Sequence, residues 1–283
     1  MRQIIILLIT FLLIGCSNKI ENLEKFKLLP SVQELELSNA FSNLNFENIK
    51  FAYSINNTEL PIRFDFTNHI KNDKKSESTI DYHIDSNLNL NQEGYKLNVL
   101  KNKISIVAKD KAGLFYAFST LDQLIEDSKD QNVNLPMLSI EDYPLIKFRP
   151  IHIDIKHHME NKSYYFNLID HLAKQKINGI IVEFEDKLKY ELRPEIGSPD
   201  ALSIEWWIEL SEYANSRNIM INPLVQGLGH ASFILKHEKN KHLRDVSSSD
   251  WAFNPLNSET YDLQFDLYLD AIKATPFGKY LHV

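Results

Sequence analysis

The second half of this chain alternates short apolar segments with amphipathic segments, and this alternation restricts the fold more than any other feature. Residues 150–155, 179–184 and 219–224 are short and largely apolar, and each is followed by a longer segment with helical spacing. Repeated strand and helix of this kind is the pattern of parallel βαβ units. We therefore predict an α/β fold from Phe148 onward.

The intervening helices are predicted at residues 163–176, with Ser163 as N-cap, and at residues 203–216 and 258–274. The last five residues, 279–283, are predicted to form a fourth buried parallel strand. Four strands and three helices fit either an open doubly wound sheet or the first half of a (β/α)₈ barrel, and periodicity does not separate the two. No G-x-G-x-x-G follows any of the strands, which disfavours a dinucleotide fold.

The first half of the chain has a mixed α and β pattern. Residues 94–100 and 103–108 alternate apolar and polar positions around Lys101-Asn102, which indicates a two-residue hairpin. Asp110 can cap a following helix whose apolar residues recur at helical spacing, namely Leu114, Phe118, Leu121 and Ile125. We predict an α+β domain over residues 29–145 and a second domain over residues 146–283.

Composition indicates a folded protein and disfavours one class of partner. The chain has 283 residues, of which 43% are hydrophobic and 24% charged, enough to form a sizeable core. Its formal net charge of -7 argues against nucleic acid as a partner, because such proteins need a basic stripe.

The N-terminus has the pattern of an export signal. Residues 4–14 are apolar except for Thr10, follow Arg2 and are too few to span a bilayer as a helix. They lead into Leu13-Ile14-Gly15-Cys16, which resembles a bacterial lipobox. We predict a signal peptide over residues 1–16, lipidation of Cys16, a tether over residues 17–28 and a periplasmic or outer-membrane lipoprotein of the bacterial cell envelope. The alternative is a plain signal peptide with an incidental cysteine.

Polar residues are dense after the predicted strands, where a barrel would carry its site. They are Asp154, His157 and His158 after the first strand, Glu183, Glu185 and Asp186 after the second, and Gln226 and His230 after the third. Glu183 and Glu185 would project on one face of a strand about 6–7 Å apart, a tempting pair for glycoside hydrolysis. A pair on a single strand would flank a glycosidic bond poorly, so we expect instead that one of them orients a neighbour and the other faces solvent or a loop.

Histidines elsewhere are poor candidates for a metal site. His237 and His242 are five residues apart, which on a helix turns their side chains about 140° from each other, so we interpret them as surface residues. His230 is the stronger candidate functional histidine, since Gly227-Leu-Gly229 precedes it in a flexible loop.

Several separated motifs resemble, in order, the β-N-acetylhexosaminidases of glycoside hydrolase family 20. They are residues 28–34, 93–97, 110–123, 140–144 and 148–154. The resemblance implies an N-terminal α+β domain followed by about four βα units of a (β/α)₈ TIM barrel. The expected substrates are glycans that end in N-acetyl-β-hexosamine.

The resemblance also implies a substrate-assisted, retaining reaction. The sugar's own 2-acetamido oxygen attacks the anomeric carbon, an Asp orients that group, and the adjacent Glu protonates the leaving oxygen. A nucleophile tethered to the substrate can have an effective molarity of roughly 10⁵ M or more. Neither a cofactor nor a metal is expected.

Roles are carried over to individual positions from the same resemblance. Arg149 matches the arginine that holds the sugar hydroxyls, and Asp154 and Glu183 are further candidates for substrate binding. Asp186 and His230 match a relay that supports the general acid.

The sequence departs from the family pattern at several points. Pro150 replaces the usual Gly after the arginine, Glu183 stands where a His is common, and residues 222–230 lack two acidic residues. These changes resemble the divergent branch that includes hexosaminidase D. The catalytic Asp-Glu pair of the family is expected just after Val283, with two residues between, so this chain alone is expected to be inactive. A separately encoded C-terminal half is one candidate partner.

Two alternatives stay open at this point. One is a non-catalytic glycan-binding lipoprotein, and the other is a different TIM-barrel glycosidase with a similar N-terminal domain.

Overall fold

The computed structural model describes residues 26–53, 71–72, 74–156 and 158–283. The chain divides into two compact units between Leu145 and Ile146. The predicted signal peptide with Cys16, most of the predicted tether, and His157 lie outside the described residues.

The first unit contains a mixed sheet. Within the described residues its strands run in the order β1-β7-β5-β6-β4-β2-β3. Their bounds are β1 Glu34–Phe41, β2 Asn48–Tyr53, β3 Lys71–Asn72, β4 Thr79–Ile84, β5 Tyr95–Val99, β6 Lys103–Ala108 and β7 Pro136–Asp142, with helix α1 Lys111–Asp130 between β6 and β7.

The predicted hairpin and the helix that follows it are confirmed. Strands β5 and β6 pair antiparallel, with Val99 opposite Ile104 across the turn. The predicted apolar residues of α1, Leu114, Phe118, Leu121 and Ile125, are all buried.

The start of α1 lies against the backbone just before β5. A Cβ on Gly113 would lie 2.4 Å from the carbonyl oxygen of Gly94, which a real Cβ cannot do. The close approach therefore requires glycine at residue 113.

The second unit contains three parallel strands in the order β10-β9-β8, which are β8 Pro150–Asp154, β9 Gly179–Glu183 and β10 Met220–Leu224. The register aligns Pro150 with Gly179 at one edge and Asp154 with Glu183 at the other. In the same way Met220 pairs with Gly179 and Leu224 with Glu183. The carboxyl ends of all three strands therefore lie along one edge of the sheet.

Helices α2 Lys162–Lys174 and α3 Ile204–Asn215 connect these strands, and α4 Ser232–Leu235 and α5 Ser258–Ala274 follow β10. Side chains of α2 and α3 meet Ile153, Val182 and Ile221 around one small apolar cavity. Both connecting helices thus cover the same face of the sheet, which favours the barrel arrangement over a doubly wound sheet with helices on both faces.

The predicted N-cap of α2 was wrong. Asn161, not Ser163, caps the helix: its side-chain oxygen accepts a hydrogen bond from the backbone N–H of Tyr164 at 3.0 Å. The hydroxyl of Ser163 instead donates to the same Asn161 oxygen at 2.6 Å. Ser203, the first residue of the predicted helix range 203–216, is the N-cap of α3.

The terminal segment does not form the predicted buried strand. His282 makes one parallel bridge to Leu224, while Tyr280 is 50% exposed. The physical reason is the side chain of Asn222, whose amide oxygen accepts hydrogen bonds from the backbone N–H groups of Lys279 at 2.9 Å and Tyr280 at 3.1 Å. These N–H groups are therefore bound by a side chain and not by the carbonyls of β10.

Replacing Asp110 with alanine is expected to destabilise the first unit. One carboxylate oxygen accepts from the backbone N–H of Gly113 at 2.8 Å and the other from that of Glu93 at 2.8 Å. Loss of a helix cap costs about 1–2 kcal/mol, which denaturant unfolding would measure.

Asp110→Asn is the matched control. Its single amide oxygen can accept only one of the two bonds, so its free energy of unfolding should lie between those of Asp110→Ala and the wild type. Equal stability of all three proteins would contradict the assigned cap.

Candidate functional site

Charged and polar side chains converge at the carboxyl edge of the parallel sheet. Because the register places Asp154 beside Glu183, residues that directly follow the neighbouring strands also meet there. The cluster consists of His152, Asp154, Lys156, Glu183, Glu185 and Gln226, and we call it the edge cluster.

Glu183 is the buried centre of the edge cluster, with only 4% of its side chain exposed. One carboxylate oxygen accepts from Gln226 Nε2 at 2.6 Å and lies 3.2 Å from Lys156 Nζ, and the other lies 3.1 Å from His152 Nε2. One carboxylate is therefore held by three side chains: His152 lies in β8, Lys156 follows β8, and Gln226 follows β10. Such pairing offsets the cost of burying its charge.

Lys156 connects Glu183 to two further carboxylates. Its Nζ lies 3.1 Å from Asp154 Oδ2 and 3.9 Å from Glu185 Oε1. The hydrogen bond to Asp154 raises the pKa of Lys156 above its usual value, although burial opposes this shift. Lys156 is therefore cationic at neutral pH and attracts all three acidic groups.

Glu185 does not continue the strand, so it does not form the predicted same-face pair with Glu183. It begins a short 3₁₀ turn, Glu185–Lys187, with a φ of 41°. The hydroxyl of Tyr190 donates to its carbonyl oxygen at 3.0 Å and holds this left-handed conformation.

The carboxyl group of Glu185 has a raised pKa. Burial raises its pKa to about 7, the negative charges of Glu183, Asp154 and Asp186 add to the rise, and Lys156 opposes it. A carboxyl group with this pKa is partly protonated at neutral pH and can either donate or accept a proton.

Asp186 lies beside the edge cluster and pairs with lysines. Its carboxylate lies 3.1 Å from Lys236 Nζ and 3.6 Å from Lys187 Nζ. Because Lys236 directly follows α4, this pair joins the turn after β9 to the long connection after β10.

His230 is exposed in the loop after β10, in a left-handed conformation with a φ of 52°. Its ring packs against the indole of Trp251, with 4.3 Å between ring centroids. Among the described residues Asp186 and His230 are not hydrogen-bonded to each other, so the predicted relay between them stays a prediction.

Arg149 lies at the opposite end of the sheet from Glu183, because it directly precedes Pro150 at the amino-terminal edge. Its guanidinium donates to the backbone carbonyls of Lys176 and Ile146, both at 2.8 Å. The sugar-binding role predicted for Arg149 therefore has no support from this arrangement.

The other predicted histidines show no metal site. His242 pairs with Glu259 at 3.0 Å, His158 pairs with Glu160 at 2.9 Å, and His237 is partly buried with its Nε2 unpaired. In the part of the chain that the structure describes, no group of His, Cys, Asp and Glu could hold a metal ion.

Among the described residues, none of the helices combines the length and the apolar character needed to span a bilayer.

Comparison with known proteins relates the chain to one family of glycoside hydrolases. Residues 27–143 match the family model described as "Glycosyl hydrolase family 20, domain 2". The chain is also 29% identical to human Hexosaminidase D over 143 residues, and 30% identical to a Beta-hexosaminidase of Porphyromonas gingivalis over 171 residues. The first unit is therefore similar to domain 2 of glycosyl hydrolase family 20.

Solved structures of the family share the fold. The GH20 β-N-acetylhexosaminidase of Streptomyces coelicolor matches with a TM-score of 0.75 at 19% identity, over 90% of this chain and 59% of that one. The predicted fold, an N-terminal α+β domain followed by part of a (β/α)₈ barrel, is thus confirmed. The alignments cover only 28% of human Hexosaminidase D and 22% of the P. gingivalis protein.

Sequence reasoning missed three residues of this region, His152, Lys156 and Trp251. The spacing of Asp154 and Lys156 around the end of a strand was a usable signal, since both side chains stay near the same edge. Trp251 had no comparable signal, because it lies 21 residues after His230 in the sequence.

Glu185→Gln is expected to change how stability depends on pH. Between pH 4.5 and about 7 the folded state keeps a proton on Glu185 that the unfolded state has released, so the wild type loses stability as pH rises. The variant should lack this loss and be more stable than the wild type at pH 8 by about 1–2 kcal/mol, with little difference at pH 4.5.

Urea unfolding at several pH values measures this difference. Glu212→Gln, on the exposed face of α3, removes the same charge and should leave the pH dependence of the wild type intact. Parallel pH profiles of Glu185→Gln and the wild type would contradict the raised pKa.

Proposed function

We propose that the whole protein hydrolyses terminal, non-reducing N-acetyl-β-hexosamine residues of glycans by the substrate-assisted, retaining mechanism. The support is the edge cluster, a buried carboxylate held by donors from neighbouring strands at the carboxyl edge of the sheet, in a chain whose first unit is similar to domain 2 of glycosyl hydrolase family 20. The relatives it matches carry the names Hexosaminidase D and Beta-hexosaminidase.

The described residues would supply the binding and positioning part of this site. His152, with 49% of its side chain exposed, and Asp154, with 41%, can reach sugar hydroxyls. Glu183 is too buried to do so and instead orients His152 and Lys156. Fixed donors and acceptors of this kind hold a substrate in its reactive geometry without reorganisation.

The chemistry itself needs the 2-acetamido group of the sugar. In the proposed mechanism its oxygen attacks the anomeric carbon and forms a bond there while the glycosidic bond breaks, and the leaving oxygen takes a proton from the general acid. Water then opens the cyclic intermediate, so the anomeric configuration is retained.

Hydrolysis of two aryl glycosides by the protein expressed from its complete gene tests the proposal. We expect turnover of 4-nitrophenyl N-acetyl-β-D-glucosaminide and none of 4-nitrophenyl β-D-glucoside, because the glucoside has no acetamido nucleophile. Comparable rates on both substrates would contradict the substrate-assisted mechanism, and sugar binding without hydrolysis would favour the non-catalytic glycan-binding alternative.

Glu183→Gln tests the role of the edge cluster. The amide cannot form the ion pair with Lys156, and a displacement on the order of 1 Å costs about 10²-fold in rate, so kcat/KM should fall by about that factor. Glu212→Gln serves again as the control and should keep the wild-type rate.

A separate expectation concerns these 283 residues alone. They contain no residue that the family resemblance matches to the catalytic Asp-Glu pair, so we expect no turnover by this polypeptide in isolation. Turnover comparable to that of a full-length relative would contradict this expectation.

We also propose that the protein is anchored to the bacterial cell envelope by lipid on Cys16. The support is the short apolar segment that ends in Leu13-Ile14-Gly15-Cys16. In a bacterial host the wild type should fractionate with membranes and incorporate an alkyne fatty acid, while Cys16→Ser should do neither. Fatty-acid incorporation by Cys16→Ser would contradict the assignment.

A further inference from the structure

Trp251 is exposed in a segment that is hydrogen-bonded to the loop after β10, although large aromatic residues are usually buried. It is 54% exposed, whereas Trp206 is 7% and Trp207 is 1% exposed. A single exposed apolar residue is ordinary on a protein surface and needs no function. The surroundings of Trp251 distinguish it from that case.

The backbone around Trp251 is held firmly in place. The N–H of Ala231 donates to the carbonyl oxygen of Trp251 at 3.0 Å, and the N–H of Phe253 donates to that of Leu228 at 2.9 Å. The two segments are therefore joined at Trp251 itself and again two residues after it. Since Ala231 and Leu228 belong to the loop after β10, the indole is fixed at the carboxyl edge of the sheet.

The ring of His230 further orients the indole. The imidazole packs at 4.3 Å with a tilt of 48°, and the backbone of His230 adopts an unfavourable left-handed conformation to reach this position. Strained backbone conformations often occur at functional sites, so the positive φ of this exposed residue suggests a function for the surface that it forms.

The loop that carries the indole is also tied to the acidic turn after β9. The Lys236–Asp186 pair at 3.1 Å connects them. The long connection after β10, which carries the indole, and the turn after β9 are therefore held together at the carboxyl edge of the sheet.

We propose that Trp251 is a platform for a second sugar ring, the one that leaves during hydrolysis. The apolar C–H face of a pyranose would lie on the exposed indole, while the terminal N-acetylhexosamine occupies the edge cluster. A rigid aromatic surface suits this task because little side-chain entropy is lost on contact. This inference rests on the proposed function and adds to it a preference for leaving groups that carry a sugar ring.

Trp251→Ala tests the platform with two substrates of the full-length protein. One is the β-1,4-linked disaccharide of N-acetylglucosamine, and the other is N-acetyl-β-glucosaminyl fluoride, whose leaving group has no ring. We expect kcat/KM for the disaccharide to fall by about tenfold, which corresponds to about 1.4 kcal/mol of lost contact, and kcat/KM for the fluoride to change by less than about twofold.

Two further variants make the comparison specific. Trp251→Phe keeps an aromatic face and should retain part of the disaccharide activity. Phe265→Ala removes another exposed aromatic residue, 57% exposed on α5, and should behave as the wild type on both substrates.

Fluorescence gives a second readout that does not depend on turnover. Because Trp206 and Trp207 are buried, the part of the acrylamide quenching that is lost in Trp251→Phe reports Trp251, and the disaccharide should reduce that part more than the monosaccharide does. This measurement also covers the case in which Trp251→Ala fails to fold.

The outcomes separate the two proposals. Equal loss on both substrates, or wild-type activity of Trp251→Ala on the disaccharide, would overturn the platform while hydrolysis by the wild type keeps the proposed function. Failure of the wild type to bind or cleave either substrate would overturn the proposed function and the platform with it. Absence of any protection of Trp251 by the disaccharide would overturn the platform alone.

Discussion

The ammonium group of Lys156 is the charge on which the carboxyl edge of the parallel sheet depends. It lies within 4 Å of carboxylate oxygens of Asp154, Glu183 and Glu185, which the register and the following turn bring together. Without a cation these acids would repel one another in a partly desolvated place. Burial raises the pKa of Glu185 to about 7, and the negative charges of the neighbouring acids, which one cation does not neutralise, add to the rise. The region therefore has a group that can exchange a proton near neutral pH.

The connections after β9 and after β10, which carry polar residues of the site, each contain a residue with a strained backbone conformation. Glu185 and His230 both have positive φ, at 41° and 52°, and such conformations cost on the order of 1 kcal/mol each for residues other than glycine. Local contacts hold both in place: the Tyr190 hydroxyl binds the carbonyl of Glu185, and the indole of Trp251 packs on His230. The fold thus maintains two unfavourable backbone conformations, at Glu185 and His230, at the edge of the sheet where family 20 chemistry is proposed.

Much of the fold could be predicted because its signals are local. The hairpin of β5 and β6, the cap at Asp110 and the helix α5 at Ser258–Ala274 follow from alternation, turn residues and capping residues within a few positions. The candidate site was predictable only in part. Glu183 and Gln226 were expected at strand ends and do meet, at 2.6 Å, but their shared partner Lys156 was not foreseen. Side-chain partners separated by 27 or 43 residues leave no periodic trace in the sequence.

The sequence by itself indicated the resemblance to family 20, the hairpin and helix of the first unit, the alternation of strands and helices from β8 to β10, and the edge of the sheet at which polar residues collect, because hydrophobic period and motif order are properties of the chain. Only the tertiary structure decided which of those residues meet. It placed Arg149 at the opposite edge with its guanidinium on backbone carbonyls. It also placed the side-chain oxygen of Asn222 where it accepts hydrogen bonds from the N–H groups of Lys279 and Tyr280, in the segment that was predicted to form a fourth strand. Both outcomes depend on hydrogen-bond partners that are distant in sequence, and only the folded register brings them within reach.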